Sequence, residues 1–250
     1  MQVFLTLTRR ELATYFVSLT GYVIIAAATF LVGESFVVLL RNLGSTASPM
    51  PVTELFYQTP FFWLIIILST PVITMRTFAL ERYSGTYETL MTTPVSDVQV
   101  VGSKFTAAWL FYMLMWLPLL ACLYIIQSFA KQSGALEVGT VGGMFIGIAL
   151  VGALFIAIGC FSSSLTSSQM VAAMVTLTLG FGLFVLAFMA EQTTVTTQWQ
   201  SQVLGHFALF RQMNDFARGV VDTRSVILFL SLTFFFLFLT LRAVESRRWK

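Results

Sequence analysis

Apolar residues in this chain come in long unbroken runs rather than at the spacing of an amphipathic helix or strand. Five of these runs carry no charged residue: 12–33, 55–75, 105–130, 138–190 and 225–241. A membrane helix needs about 20 apolar residues, rising 1.5 Å each, to cross about 30 Å of hydrocarbon. Four of the runs have the length of one crossing. The run at 138–190, 53 residues long, holds two crossings and a hairpin. The pattern predicts an all-α integral membrane protein with six transmembrane helices, at 20–40, 60–82, 105–127, 140–162, 170–190 and 225–241, in a single membrane domain covering 1–250. Composition agrees, with 57% hydrophobic and only 10% charged residues, where soluble domains carry about a quarter charged. A soluble enzyme is excluded.

The flanks add detail. Residues 1–19 form an expected amphipathic interface helix, with Phe4, Leu7, Leu12, Tyr15 and Phe16 toward lipid and Arg9, Arg10 and Glu11 toward water. Arg9 and Arg10 resemble the start of a signal peptide, but the apolar stretch after them is long enough to span, so it stays as the first span. Pro60 suits the first turn of the second span, while Pro71 and Pro118 predict kinks. The fourth span is rich in small residues. Gly143 and Gly147 are four apart, as are Ala149, Ala153 and Ala157, a spacing that lets helices approach closely in lipid and predicts a face for a second membrane chain. The segment 191–224 carries Phe207, Phe210, Phe216 and Val220 at near-helical spacing. It is expected outside, either as a re-entrant helical segment plugging the bundle or as a lever.

Net charge is only +3, too small and too dispersed to indicate nucleic-acid binding. The cations instead report topology. With both termini in the cytoplasm, Arg9, Arg10, Arg76, Arg82, Lys104, Arg242, Arg247, Arg248 and Lys250 lie inside, and Arg41, Lys131, Arg211, Arg218 and Arg224 outside. Cys122 and Cys160 fall toward opposite ends of their spans, which makes them packing residues rather than a disulfide. No G-x-x-x-x-G-K-[ST] phosphate loop is present. His206 is the single histidine, which removes His-paired metal sites and a buried Ser–His pair. Glu34 is expected to be the one charge within a span. It is a candidate for a substrate path or a subunit contact.

The most informative segment is 71–105, PVITMRTFALERYSGTYETLMTTPVSDVQVVGSKF. Arg76, Glu81 and Arg82 continue the second helix past the bilayer until Ser84-Gly85 breaks it. Thr86 caps a short helix carrying Tyr87, Glu88, Leu90 and Met91, which Thr93-Pro94 ends. Val95 leads into Ser96-x-x-Gln99, a capping box that opens the third helix. Exposed Tyr87, Leu90, Met91 and Val95 in a polar connection fit a docking element for a cytoplasmic partner.

Three stretches of the chain resemble a known family. ALERYSGTYETLMTTPVSDVQVVGSKF is similar to the cytoplasmic loop of type-2 ABC exporter permeases, with its charged pair, Gly-Thr-x-Glu and Pro-Val-Ser. TRRELATYFVSLTGYVI resembles their N-terminal helix and first span. HFALFRQMNDFARGVVDTRSVILFLSLTFFFLFLTLRAVESRRW resembles their last loop, last span and basic tail. Within the family the likeness is greatest to gliding-motility-associated permeases and to those of nitrous-oxide-reductase maturation. The resemblance implies a non-catalytic half-transporter of the bacterial inner membrane. It would pair with a second permease, identical or different, and with two separate ATPase chains. ATP and magnesium would be bound by those ATPases, and no cofactor by this chain. The cytoplasmic segment 83–104 would hold the coupling helix, with Glu81, Arg82, Gly85, Thr86, Tyr87, Glu88, Leu90, Met91, Pro94, Val95 and Ser96 meeting the ATPase. Arg9, Arg10 and Glu11 would belong to the interface helix beside it. The expected function is export of a substrate. The alternative is a scaffold that passes ATPase-driven motion to an extracytoplasmic partner without transport.

Overall fold

A computed structural model describes residues 2–45, 51–85, 95–129, 138–192 and 208–246. Among these residues the fold is helical with no strand. The elements are α1 (Gln2–Val17), α2 (Leu19–Ser45), α3 (Val52–Gln58), α4 (Pro60–Thr74), α5 (Ala79–Tyr83), α6 (Asp97–Met115), α7 (Leu117–Phe129), α8 (Val138–Leu165), α9 (Gln169–Gln192), α10 (Leu209–Ala217) and α11 (Thr223–Glu245). Six helical segments are long and apolar enough to cross a membrane: Leu19–Arg41, Pro60–Tyr83, Asp97–Ser128, Val138–Leu165, Gln169–Ala190 and Thr223–Glu245. The chain is an all-α membrane protein.

The prolines act where backbone chemistry requires. Pro60 opens α4 behind Thr59, where its missing N–H costs nothing. Pro71 lies inside α4, and the helix ends at Thr74. The expectation that one helix continues through Arg76 to Arg82 is therefore corrected. A turn at 75–78 intervenes, and α5 is a separate short helix. Its first amides, Phe78 N and Ala79 N, both donate to Ser163 Oγ on α8 at 3.1 Å. Pro118 leaves the Leu114 carbonyl without its usual donor, and the third span breaks at Trp116 between α6 and α7.

α8 is the axis of the bundle, with neighbours on every side. Its glycines are the contact points. A Cβ added at Gly152 would collide with the Tyr112 ring, and one at Gly159 with Thr74. One at Gly147 would stand 3.1–3.3 Å from Phe216 and Met213, and one at Gly143 would strike the Phe216 carbonyl. The close approach expected at Gly143 and Gly147 thus exists, but α10 of the same chain occupies it. The prediction that these positions form a face for a second chain is corrected. The indole N–H of Trp109 adds a 3.0 Å bond to Ala149 O on the same helix. Cys122 and Cys160 are both free thiols, with Cys160 buried.

α1 packs along α6. Tyr15 stacks on Phe111 at 4.8 Å and Phe16 meets the same ring edge-on at 5.8 Å. The side expected to face lipid is therefore shared with the bundle, and the exposed apolar surface of α1 is carried by Val3, Leu5, Phe16 and Val17.

Candidate functional site

At one end of the helix bundle, α1, α5 and α6 converge on one cation. Lys104, in the first turns of α6, is 2% exposed, and its Nζ reaches Glu81 Oε1 at 2.7 Å and Glu11 Oε1 at 3.1 Å. Arg10 Nη2 stands 3.6 Å from Glu11 and 3.7 Å from Glu81. The Phe78 ring centroid lies 5.5 Å from the same ammonium, within cation–π range. This arrangement ties three elements together: α1 through Glu11, α5 through Glu81, and α6 through Lys104. A buried ammonium is tolerated only when paired, and here two carboxylates share it.

Two expectations change in consequence. Glu34 was expected to be the one charge within a span, yet Lys104 belongs to the third spanning segment and is far more deeply buried. Glu34 itself is half-buried. Glu11 was expected to face water with Arg9 and Arg10. It turns inward to Lys104, while Arg9 and Arg10 remain exposed.

Further bonds fasten α1 and the start of α2. Tyr15 Oη donates to Ile73 O at 3.1 Å. Burial raises the phenol's pKa well above its ordinary value, so it stays a neutral donor. Thr8 and Thr106 hydroxyls meet at 3.5 Å. Arg76 Nη1 donates to Thr20 Oγ1 at 2.7 Å and to Ser18 Oγ at 3.3 Å.

The chain leaves α5 through Gly85, whose φ of +72° lies in the left-handed region that favours glycine. The break expected at Ser84-Gly85 is there. The segment re-enters at Val95, half-buried, and at Ser96, which caps α6 by accepting from Gln99 N at 3.4 Å. Arg82 is half-buried on α5. Thr86, Tyr87, Glu88, Leu90, Met91 and Pro94 lie outside the described residues. Of the proposed coupling residues, Glu81 pairs with Lys104 in the ion cluster.

The opposite end carries a second ion pair that the sequence reading missed. Glu54 on α3 is 2% exposed and receives a bidentate contact from Arg218: Nη2 to Oε1 at 2.6 Å and Nε to Oε2 at 3.0 Å. Thr53 Oγ1 donates to Ala217 O and Tyr57 Oη to Met144 O, each at 2.6 Å. Burial raises the Tyr57 pKa as well. α10 is amphipathic and buries Leu209, Met213, Phe216 and Ala217. It ends at Ala217, and the chain turns away at Gly219, φ +79°, with Val220 N bonded back to Asp215 O. Beside it an apolar cavity of about 600 Å³ opens between α4, α9 and α10, walled by Trp63, Phe181, Phe184, Phe188 and Phe210.

The family model described as ABC-2 family transporter protein matches residues 42–242. The chain belongs to that family. It is a multi-pass membrane component of an ABC transporter, and membership implies association with an ABC ATPase. The match begins after α1 and near the end of α2, so the ion cluster joins the family domain, through Lys104 and Glu81, to an N-terminal helix outside the match. No curated protein matches the chain.

Proposed function

We propose that this permease is one half of an ATP-driven exporter, paired with a second permease and worked by two ATPase chains, with both termini in the cytoplasm of a bacterial inner membrane. The observation that carries this reading is the joint at the inner end. The two helices that bracket residues 86–94 are locked to each other and to α1 by one buried ammonium. A push on the intervening segment is thereby delivered to the second and third spans together. The chain has no phosphate loop of its own, so ATP and magnesium belong to the partner. Because α10 fills the small-residue face of α8, the second permease would meet the exposed apolar faces of α2, α9 or α11. The aromatic cavity beside α10 would take an apolar part of the cargo.

The alternative, motion passed to an extracytoplasmic partner, draws on Val220 and Val221, which are exposed just beyond α10. The Glu54–Arg218 contact and the packing of Phe216 on α8 favour a cap on the bundle over a free lever.

The test is co-purification of the ATPase. Leu90→Ala should remove a central apolar anchor, worth about 2 kcal/mol at an interface, and Glu88→Lys should misdirect docking. The membrane complex should still assemble its two permeases but lose the ATPase or its coupling. A change at Thr46, in the opposite loop, should have no effect. Unchanged ATPase capture and activity in both variants would remove the coupling role from this segment.

A further inference from the structure

A cavity of about 570 Å³ opens between α1, α2, α4 and α5. Its wall holds three cations, Arg10, Arg76 and Lys104, against two carboxylates, Glu11 and Glu81. Both carboxylates are already engaged by Lys104, with Arg10 behind them. Arg76 has no such partner. Its Nη1 bonds only to the neutral hydroxyls of Thr20 and Ser18. Its Nε is buried without a hydrogen-bond acceptor among the described residues, and none of their carboxylates lies within ion-pair distance of it. A guanidinium cannot relieve this by losing its proton. A half-buried charge of this kind is stable when an anion enters from outside the chain.

The rest of the wall identifies the anion's carrier. Ile24, Val72 and Leu80 give it an apolar side, and Val72 and Leu80 are also exposed at the outer surface of the bundle. A free anion gains nothing from such a surface, whereas a lipid gains from both parts. We propose that this cavity holds an anionic phospholipid from the leaflet on the α1 side. The phosphate lies against Arg76, where the planar fork suits two oxygens, and an acyl chain runs past Val72 and Leu80. The proposal does not depend on what the complex exports.

The experiment is native mass spectrometry of the full-length chain during stepwise delipidation, with phosphatidylglycerol and phosphatidylcholine supplied equally. The wild type should retain one phosphatidylglycerol with a preference of about tenfold, since both lipids carry the phosphate but the choline cation of phosphatidylcholine is repelled by the wall's Arg10, Arg76 and Lys104. Arg76→Gln should erase the preference. Val72→Trp fills the cavity while keeping every charge, and should erase it too. Arg41→Gln, on an exposed side chain at the other end, should leave it intact. Melting temperatures in phosphatidylcholine, alike for all four proteins, separate lost binding from lost folding, and Val72→Trp carries the test if Arg76→Gln fails to fold. A wild type without preference, or a preference surviving both cavity variants, overturns the proposal. A wild type indifferent to phosphatidylglycerol but raised in melting temperature by millimolar inorganic phosphate overturns the lipid assignment in favour of a soluble phosphate.

Discussion

Lys104 shows what a single residue decides in this fold. Its ammonium is buried, and its two carboxylate partners are 93 and 23 positions away in the chain. Lys104→Met would leave Glu11 and Glu81 facing each other with the exposed Arg10 nearby. Removing one member of a buried ionic group typically costs about 3–5 kcal/mol, and Arg10 should hold the loss near the lower figure. Thermal unfolding in detergent measures it. Glu81→Gln should cost less, because Glu11 remains. Adding Glu11→Gln should cost more than the two single effects combined, since the ammonium then has no counter-charge and the cycle is non-additive. None of this was legible in the sequence, where Lys104 reads as one more inner cation at the edge of a charge-free run. Ser96 was legible for the opposite reason. Its partner, Gln99 N, is three residues away, so the cap is written in local spacing, as is the positive φ at Gly85. Glu54 and Arg218 are 164 residues apart, beyond any local pattern.

At the scale of the element, the glycines of α8 divide by what surrounds them. Gly152→Ala would drive a methyl into Tyr112 and Gly159→Ala into Thr74, and overpacking of this kind typically costs about 1–3 kcal/mol. Gly33 in α2 and Gly142 in α8 have nothing within 4 Å of an added Cβ. Alanine there should be neutral or stabilising by up to about 1 kcal/mol, from helix propensity alone. Melting temperatures of the four variants should fall into two groups. The small-residue spacing in the fourth span announced a close approach correctly, because size alone permits it. It did not announce the occupant, because size carries no identity, and α10 took the place expected for a second chain. The hold on α10 is itself testable. Glu54→Gln weakens a charged bidentate contact to a neutral one and leaves Phe216 and Met213 in place. Hydrogen exchange across 209–217 should therefore speed up while α8 stays protected. Equal protection of α10 in both proteins would mean that apolar packing alone seats it.

At the scale of the molecule, the six crossings were readable because the bilayer leaves a polar backbone few alternatives and sets helix length directly. The structure adds which features share an end. α1, the α5 helix, Ser96 and the end of α11 gather with the Lys104 cluster, and α3 and α10 gather around Glu54. Cations divide unevenly between these ends, nine on the Lys104 side in the sequence against five on the other, and short cytoplasmic loops retain the excess. The Lys104 end should therefore face the cytoplasm. Single cysteines in a background lacking Cys122 and Cys160 measure this. Ser84 and Ser246 are exposed at the first end and Val220 at the second. In intact cells an impermeant maleimide should label Val220→Cys and spare Ser84→Cys and Ser246→Cys, all three reacting once the membrane is opened. The inverted pattern would place α10 in the cytoplasm and the segment after Gly85 outside, where no ATPase could reach it, and the exporter reading would fall with the orientation. Labelling of Ser84→Cys and Val220→Cys together would instead require an even number of crossings between them, so that one of the three segments Asp97–Ser128, Val138–Leu165 and Gln169–Ala190 does not span.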